Sequence, residues 1–117
     1  MELRVHMKGE TKVGELCGEG VLLGKGGDVS KIVSEAFRCD VLALRVDNIA
    51  ADVFDLHTGV LGELFQKLVN YKKRLAIVGD IAPYQAKSEA FSALVRESNR
   101  GRDVAFVRTL EEALARA

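Results

Sequence analysis

An α/β fold with a mostly parallel sheet is the class this sequence predicts, and three observations predict it. Apolar runs of strand length alternate with amphipathic runs of helix length from Val29 to the end. The run Leu75-Ala-Ile-Val-Gly-Asp80 opens without any polar alternation, as a strand buried on both faces does. The two opening β-prone runs are separated only by Lys8-Gly-Glu10, a spacing that suits a hairpin. The expected order is β-β-α-β-α-β-α-β-α in a single domain covering residues 1–117, a common size for one hydrophobic core. Helices between strands act as crossovers, which makes the sheet parallel except at the opening hairpin.

Each element has its own local signal. Leu3 to Met7 and Thr11 to Cys17 form the hairpin, and Val13 alternates with polar neighbours as on a half-exposed edge. A glycine-rich segment, Gly18 to Gly27, leads to Asp28 as the expected N-cap of a helix. Behind that cap Val29, Ile32, Val33, Ala36 and Phe37 share one face. Val41 to Val46 reads as a buried strand ending at Asp47-Asn48, and Thr58 to Asn70 as a deeply buried helix with Val60, Leu61, Leu64, Phe65, Leu68 and Val69 inward. After the apolar strand at Leu75, the only proline, Pro83, falls in an expected loop. Ser88 caps a helix carrying Phe91, Leu94 and Val95 inward, with Gly101 expected to end it in a left-handed conformation. Val104 to Val107 is the last strand, and Thr109-Leu-Glu-Glu112 is a capping box that starts a final helix with Leu110, Ala113 and Leu114 inward.

Composition narrows the function classes. Seventeen basic and 17 acidic side chains give zero net charge, so no global field draws the protein to nucleic acid or an anionic membrane. No apolar run approaches the roughly 18 residues of a membrane span, and no apolar leader core follows the first residues, so a cytoplasmic protein is expected. Cys17 and Cys39 lack CxxC spacing and only two histidines are present, which makes reduced thiols the expectation and leaves neither a metal nor a cofactor indicated.

Ligands of open α/β sheets meet the protein beyond the carboxyl ends of the strands. Asp47-Asn48 with the stretch up to Thr58, Gly79-Asp80 with the Pro83 loop, and Arg108-Thr109 converge there. In "DLHTGVLG", Asp55 to Gly62, each glycine inside a helix costs about 1 kcal/mol relative to alanine. Two readings follow: Gly59 and Gly62 permit a close helix packing, or they frame a functional N-terminus with Thr58 as the N-cap and His57 beside it. Gly24-Lys25 fails as a phosphate loop, because Glu19 stands where the first glycine belongs and Gly26 where a hydroxyl residue belongs. Asp47, Asp52, Asp55 and Asp80 with His57 and Thr58 include the residue types of acid–base or nucleophilic chemistry. No nucleophile elbow accompanies them, and no catalytic residue is assigned. Four basic residues between Lys67 and Arg74 suit a helix C-terminus and do not indicate a nucleic-acid patch.

The stretches "FDLHTGVLGELFQKLVNYKKRLAIVGD" and "ESNRGRDVAFVRTLEEAL" resemble the mostly bacterial domain-of-unknown-function family four-one-eight-zero. That resemblance implies a fold and no activity. A more distant likeness is to STAS domains of the anti-sigma-factor-antagonist type, in which an Asp-Ser-Ser/Thr-Gly-Leu-Gly-like element starts the corresponding helix. Thr58-Gly59-Val60-Leu61-Gly62 is similar to that element and places Thr58 at its phosphorylation switch, although Asp55 lies three residues ahead instead of two. The resemblance implies a non-enzymatic regulatory or protein-interaction module switched at Thr58; with the strand ends that converge beside it, the expected surface is His57, Thr58, Gly59, Asp47, Asn48 and Asp80. Its partner would be another protein; a homodimer pairing through the edge hairpin or exposed helix faces is a further possibility, compatible with this reading and with its rival. The rival expectation is a small-ligand binder or enzyme using Asp47, Asn48, Asp80 and Arg108 at the strand ends.

Overall fold

Strands β1 (Glu2–Lys8) and β2 (Thr11–Cys17) close over Gly9-Glu10 with Lys8 opposite Thr11. Gly9 takes φ +61° at the first central position, where a two-residue hairpin turn of the II′ kind needs glycine. Three parallel strands follow: β3 (Val41–Arg45), β4 (Arg74–Val78) and β5 (Val104–Val107). The computed structural model describes residues 1–117, the surroundings of Gly26 excepted. The sheet order is β1-β2-β3-β4-β5, antiparallel between the first two strands and parallel thereafter.

Every parallel connection steps in the same direction across the sheet, so crossovers of one hand place their helices on one face. Helices α1 (Gly26–Ala36), α2 (Val60–Asn70) and α4 (Glu89–Arg100) share a core with Leu16, Leu42, Leu44, Leu75, Ile77 and Phe106. The other face carries α5 (Leu110–Arg116), whose Ala113 joins a second apolar cluster with Val13, Ala43, Ala76 and Ala105. The strands thus turn large side chains to three helices and small ones to a single short helix. Both sets are apolar, which is why the strands read as continuous apolar runs.

Several local expectations are corrected by tertiary context. Val13 is fully buried because β2 lies between β1 and β3; the edge is β1. Phe37 stands exposed, edge to face with Tyr71 at 4.9 Å, just beyond the buried stripe of α1, and Val69 is also exposed. Helix α1 begins two residues before Asp28, with Lys25 at the cap position. Asp28 lies in the first turn, where its Oδ2 accepts from the N–H groups of Gly24 (2.8 Å) and Lys25 (3.0 Å). Pro83 lies in the first turn of a short helix, α3 (Ala82–Lys87), instead of a loop. Gly101 ends α4 with φ −93°, an extended conformation and not a left-handed one. Ser88 Oγ does cap α4 by accepting from Phe91 N–H at 3.0 Å. Thr109 Oγ1 accepts from Glu112 N–H at 3.2 Å, while the Glu112 carboxylate reaches back to Arg108 N–H, one residue before the cap.

Candidate functional site

Between β3 and α2 the chain crosses the carboxyl end of the sheet in three 3₁₀ turns, Val46–Asn48, Ala51–Phe54 and Leu56–Thr58. Buried Val53 and Phe54 anchor the middle turn to the core. The last turn has no buried residue and is held by its own polar groups. Asp55 Oδ1 accepts from His57 N–H at 3.0 Å and lies 3.0 Å from His57 Nδ1. A carboxylate only accepts, so the imidazole carries its proton on Nδ1. The His57 N–H and then the imidazole hold the Asp55 carboxyl below its ordinary pKa. Asp55 is therefore a carboxylate at neutral pH, an orienting group and not an acid.

Thr58 is exposed, and it is not the N-cap of α2. Gly59 takes that place with φ +77°, one residue later than the sequence suggested. The left-handed backbone reverses the chain between the 3₁₀ turn and the helix, and a side chain there would be strained. Thr58 Oγ1 donates to Asp55 C=O at 3.0 Å and accepts weakly from Val60 N–H at 3.4 Å. The close-packing reading of the glycines fails, because a methyl group at Gly59 or Gly62 would meet nothing within 4 Å. Gly59 is required by backbone geometry, whereas no contact requires Gly62.

Beside this turn lies an open cleft of about 400 Å³ walled by Phe54, Asp55, His57, Tyr84, Lys87 and Ser88, with Ala51 completing its lining. Phe54 and Tyr84 stack with ring centroids 4.1 Å apart, and Phe54 meets Phe91 edge to face at 5.4 Å. The stack ties the 3₁₀ segment to α3 and forms the apolar wall. Ser88 lines the same cleft as the Asp55–His57 pair, yet its hydroxyl caps α4 and forms no hydrogen bond to His57, so no nucleophile–base pair is assembled. Among the described residues no three His, Cys, Asp or Glu side chains gather in a metal-binding arrangement.

The other residues singled out from the sequence separate into different places. Asn48 is 3% exposed, and its Nδ2 donates to the carbonyls of Gly18 (3.0 Å) and Gly20 (2.8 Å) while its Oδ1 accepts from Arg45 Nε at 3.1 Å. Its own carbonyl accepts from Leu22 and Leu23 N–H. Asn48 thus straps the glycine-rich segment to the end of β3. Asp47 is exposed on the same turn. Asp80 Oδ1 accepts from Ala82 N–H at 2.9 Å, setting the start of α3, and Asp80 shares a smaller concavity of about 180 Å³ with Gln85, Phe106 and Arg108. His57 and Asp55 therefore line one cleft with Tyr84 and Lys87, which sequence reasoning missed. Ala82-Pro83 was the available signal, since proline in a first helical turn could have turned the loop into α3 and set Tyr84 and Lys87 facing the 3₁₀ segment.

Fold and site together define a single-domain α/β protein with a polar–aromatic cleft at the carboxyl edge of its sheet. The family model described as "Domain of unknown function (DUF4180)" matches residues 8–117, and the chain belongs to that family. No curated protein and no solved structure matches it. Among the described residues no helix is long and apolar enough to cross a membrane.

Proposed function

We propose that the chain is a cytoplasmic, non-enzymatic protein-interaction module of STAS-like type, which docks its partner on the Leu56–Gly59 turn and the adjoining cleft. One observation carries the reading: Thr58 stands exposed at a glycine-turned helix start, beside a cleft with aromatic and charged walls. The stack of Tyr84 on buried Phe54 sets the apolar wall before any partner arrives, which limits the ordering cost of docking there. A phosphate on Thr58 adds about 1.5 to 2 negative charges to this surface and removes the hydroxyl that bonds Asp55 C=O, leaving the buried core of α2 untouched. Thr58 is the switch of the module.

The test is quantitative co-purification of tagged wild type, Tyr84→Ala, Thr58→Ala and Thr58→Glu chains from the source cells. A partner held by wild type is expected to be lost on Tyr84→Ala and to change severalfold between Thr58→Ala and Thr58→Glu. Identical capture by all four chains rejects both the surface and the switch. A second reading, a planar small-molecule ligand seated against Tyr84, is favoured by the cleft's volume, which falls within the range of ligand sites. Fragment titration followed by NMR shifts of the Tyr84 ring tests it; fragments that perturb no cleft resonance remove it.

A further inference from the structure

The two edges of the sheet are treated differently. At β5 the side-chain amide of Asn99, on α4, engages the outward backbone of Phe106: Oδ1 accepts from Phe106 N–H at 2.7 Å and Nδ2 donates to Phe106 C=O at 3.2 Å. At Phe106 that edge is closed by a side chain imitating a strand. At β1 no such cover is present among the described residues, and the outward backbone groups can be assigned. Lys12 turns both its groups toward β3, donating to Asp40 Oδ2 at 2.8 Å and accepting from Asp40 N–H at 2.8 Å. Successive residues of an antiparallel strand turn their groups to opposite sides, so Thr11, Val13, Glu15 and Cys17 face β1. Their partners Lys8, His6, Arg4 and Glu2 face back, which leaves Leu3, Val5 and Met7 with N–H and C=O directed outward.

The same three residues form an apolar row. Leu3 packs against the helix-covered core, whereas Val5 is 49% and Met7 56% exposed, on the part of the hairpin that the helices do not cover. β1 has no proline, its register with β2 is unbroken, and its charges, Glu2, Arg4 and Lys8, lie on the opposite face from the apolar row.

We propose that two copies of the chain join through β1, antiparallel and two-fold symmetric about Val5, into one continuous sheet. In this register Val5 faces Val5, Leu3 faces Met7, and each outward residue exchanges both of its backbone bonds. Glu2 of each copy faces Lys8 of the other. Charge selects this register over its neighbours, because a slip by two residues sets Arg4 on Arg4 in one direction and Arg4 on Lys8 in the other. In the chosen register Arg4 faces His6, whose Nε2 already lies 3.1 Å from the Glu15 carboxylate. In the single chain Lys8 donates to Leu114 C=O (2.8 Å) and Ala115 C=O (3.3 Å), and on pairing it turns to Glu2 of the second copy. The contact is independent of the cleft.

Sedimentation velocity from micromolar to submillimolar protein is the test. Wild type is expected to show a concentration-dependent dimer. Val5→Pro removes an outward N–H without breaking a bond to β2 and is expected to sediment as a monomer, with circular dichroism reporting on the hairpin. The charge variants need no backbone change. Glu2→Lys and Lys8→Glu are each expected to weaken self-association about tenfold, since each replaces two attractive cross-strand pairs by repulsive ones. Mixed in equal amounts, the two variants present opposite charges to each other and recover a dimer. Wild type that stays monomeric, a dimer indifferent to Val5→Pro, or a mixture no tighter than either variant alone overturns the proposal.

Discussion

Asn99 and Phe106 meet as two strands would. The amide of the side chain occupies both backbone groups that Phe106 turns away from β4, at 2.7 and 3.2 Å, and so ends the sheet at β5. Replacing Asn99 with alanine leaves a partly buried N–H and C=O without partners. The expected loss is about 2 kcal/mol of stability, read by urea unfolding, because an unpaired buried polar group costs its desolvation. Asn99→Asp keeps the acceptor and loses the donor, and falls between the two.

Opposite signs are expected at the two glycines of the α2 start. Gly59→Ala forces an alanine to φ +77° and is expected to destabilise by about 1–2 kcal/mol. Gly62 is an exposed helical residue whose added methyl meets nothing, so Gly62→Ala is expected to stabilise by up to about 1 kcal/mol. Thermal unfolding of both variants beside wild type is sufficient, and equal shifts in one direction would contradict this assignment.

Asn48 is expected to be the costlier residue to truncate. Asn48→Ala uncouples the carbonyls of Gly18 and Gly20 and leaves Arg45 Nε without its acceptor. A loss of about 2–3 kcal/mol is expected, with hydrogen exchange rising first at Leu22 and Leu23, whose N–H groups bond the Asn48 carbonyl.

The first turn of α1 sets a pH dependence. Backbone N–H bonds from Gly24 and then Lys25 hold the Asp28 carboxyl below its ordinary pKa. The folded state therefore prefers the carboxylate, and the contribution is fully present above the unfolded value of about 4 and is lost as pH falls through the lower folded value. Melting temperatures of wild type and Asp28→Asn are expected to differ at neutral pH and to converge in acid. A constant gap down to pH values well below the carboxylate range would contradict this.

The sequence alone determined the class of fold, the order of the five strands along the chain and most of the helical faces. Those signals are local: apolar periodicity, Ser88 and Thr109 as caps, and the Lys8-Gly-Glu10 break between the hairpin strands act within a few residues of one another. Thr58 and His57 could be singled out for the same reason, since an Asp-x-His-Thr-Gly start is a short-range pattern. The tertiary structure alone decided that β2 is internal and β1 the edge, that Asn48 straps Gly18 and Gly20, that Asn99 closes the far edge, and that Tyr84 and Lys87 wall the cleft with His57. Each of those depends on which segments the sheet order makes neighbours, and the residues concerned lie up to about thirty positions apart, beyond the reach of any periodicity. Phe37 shows the same limit on a smaller scale. It continues the apolar stripe of α1, yet only the packed sheet fixes where cover by the core stops, and it stops one residue short of that ring.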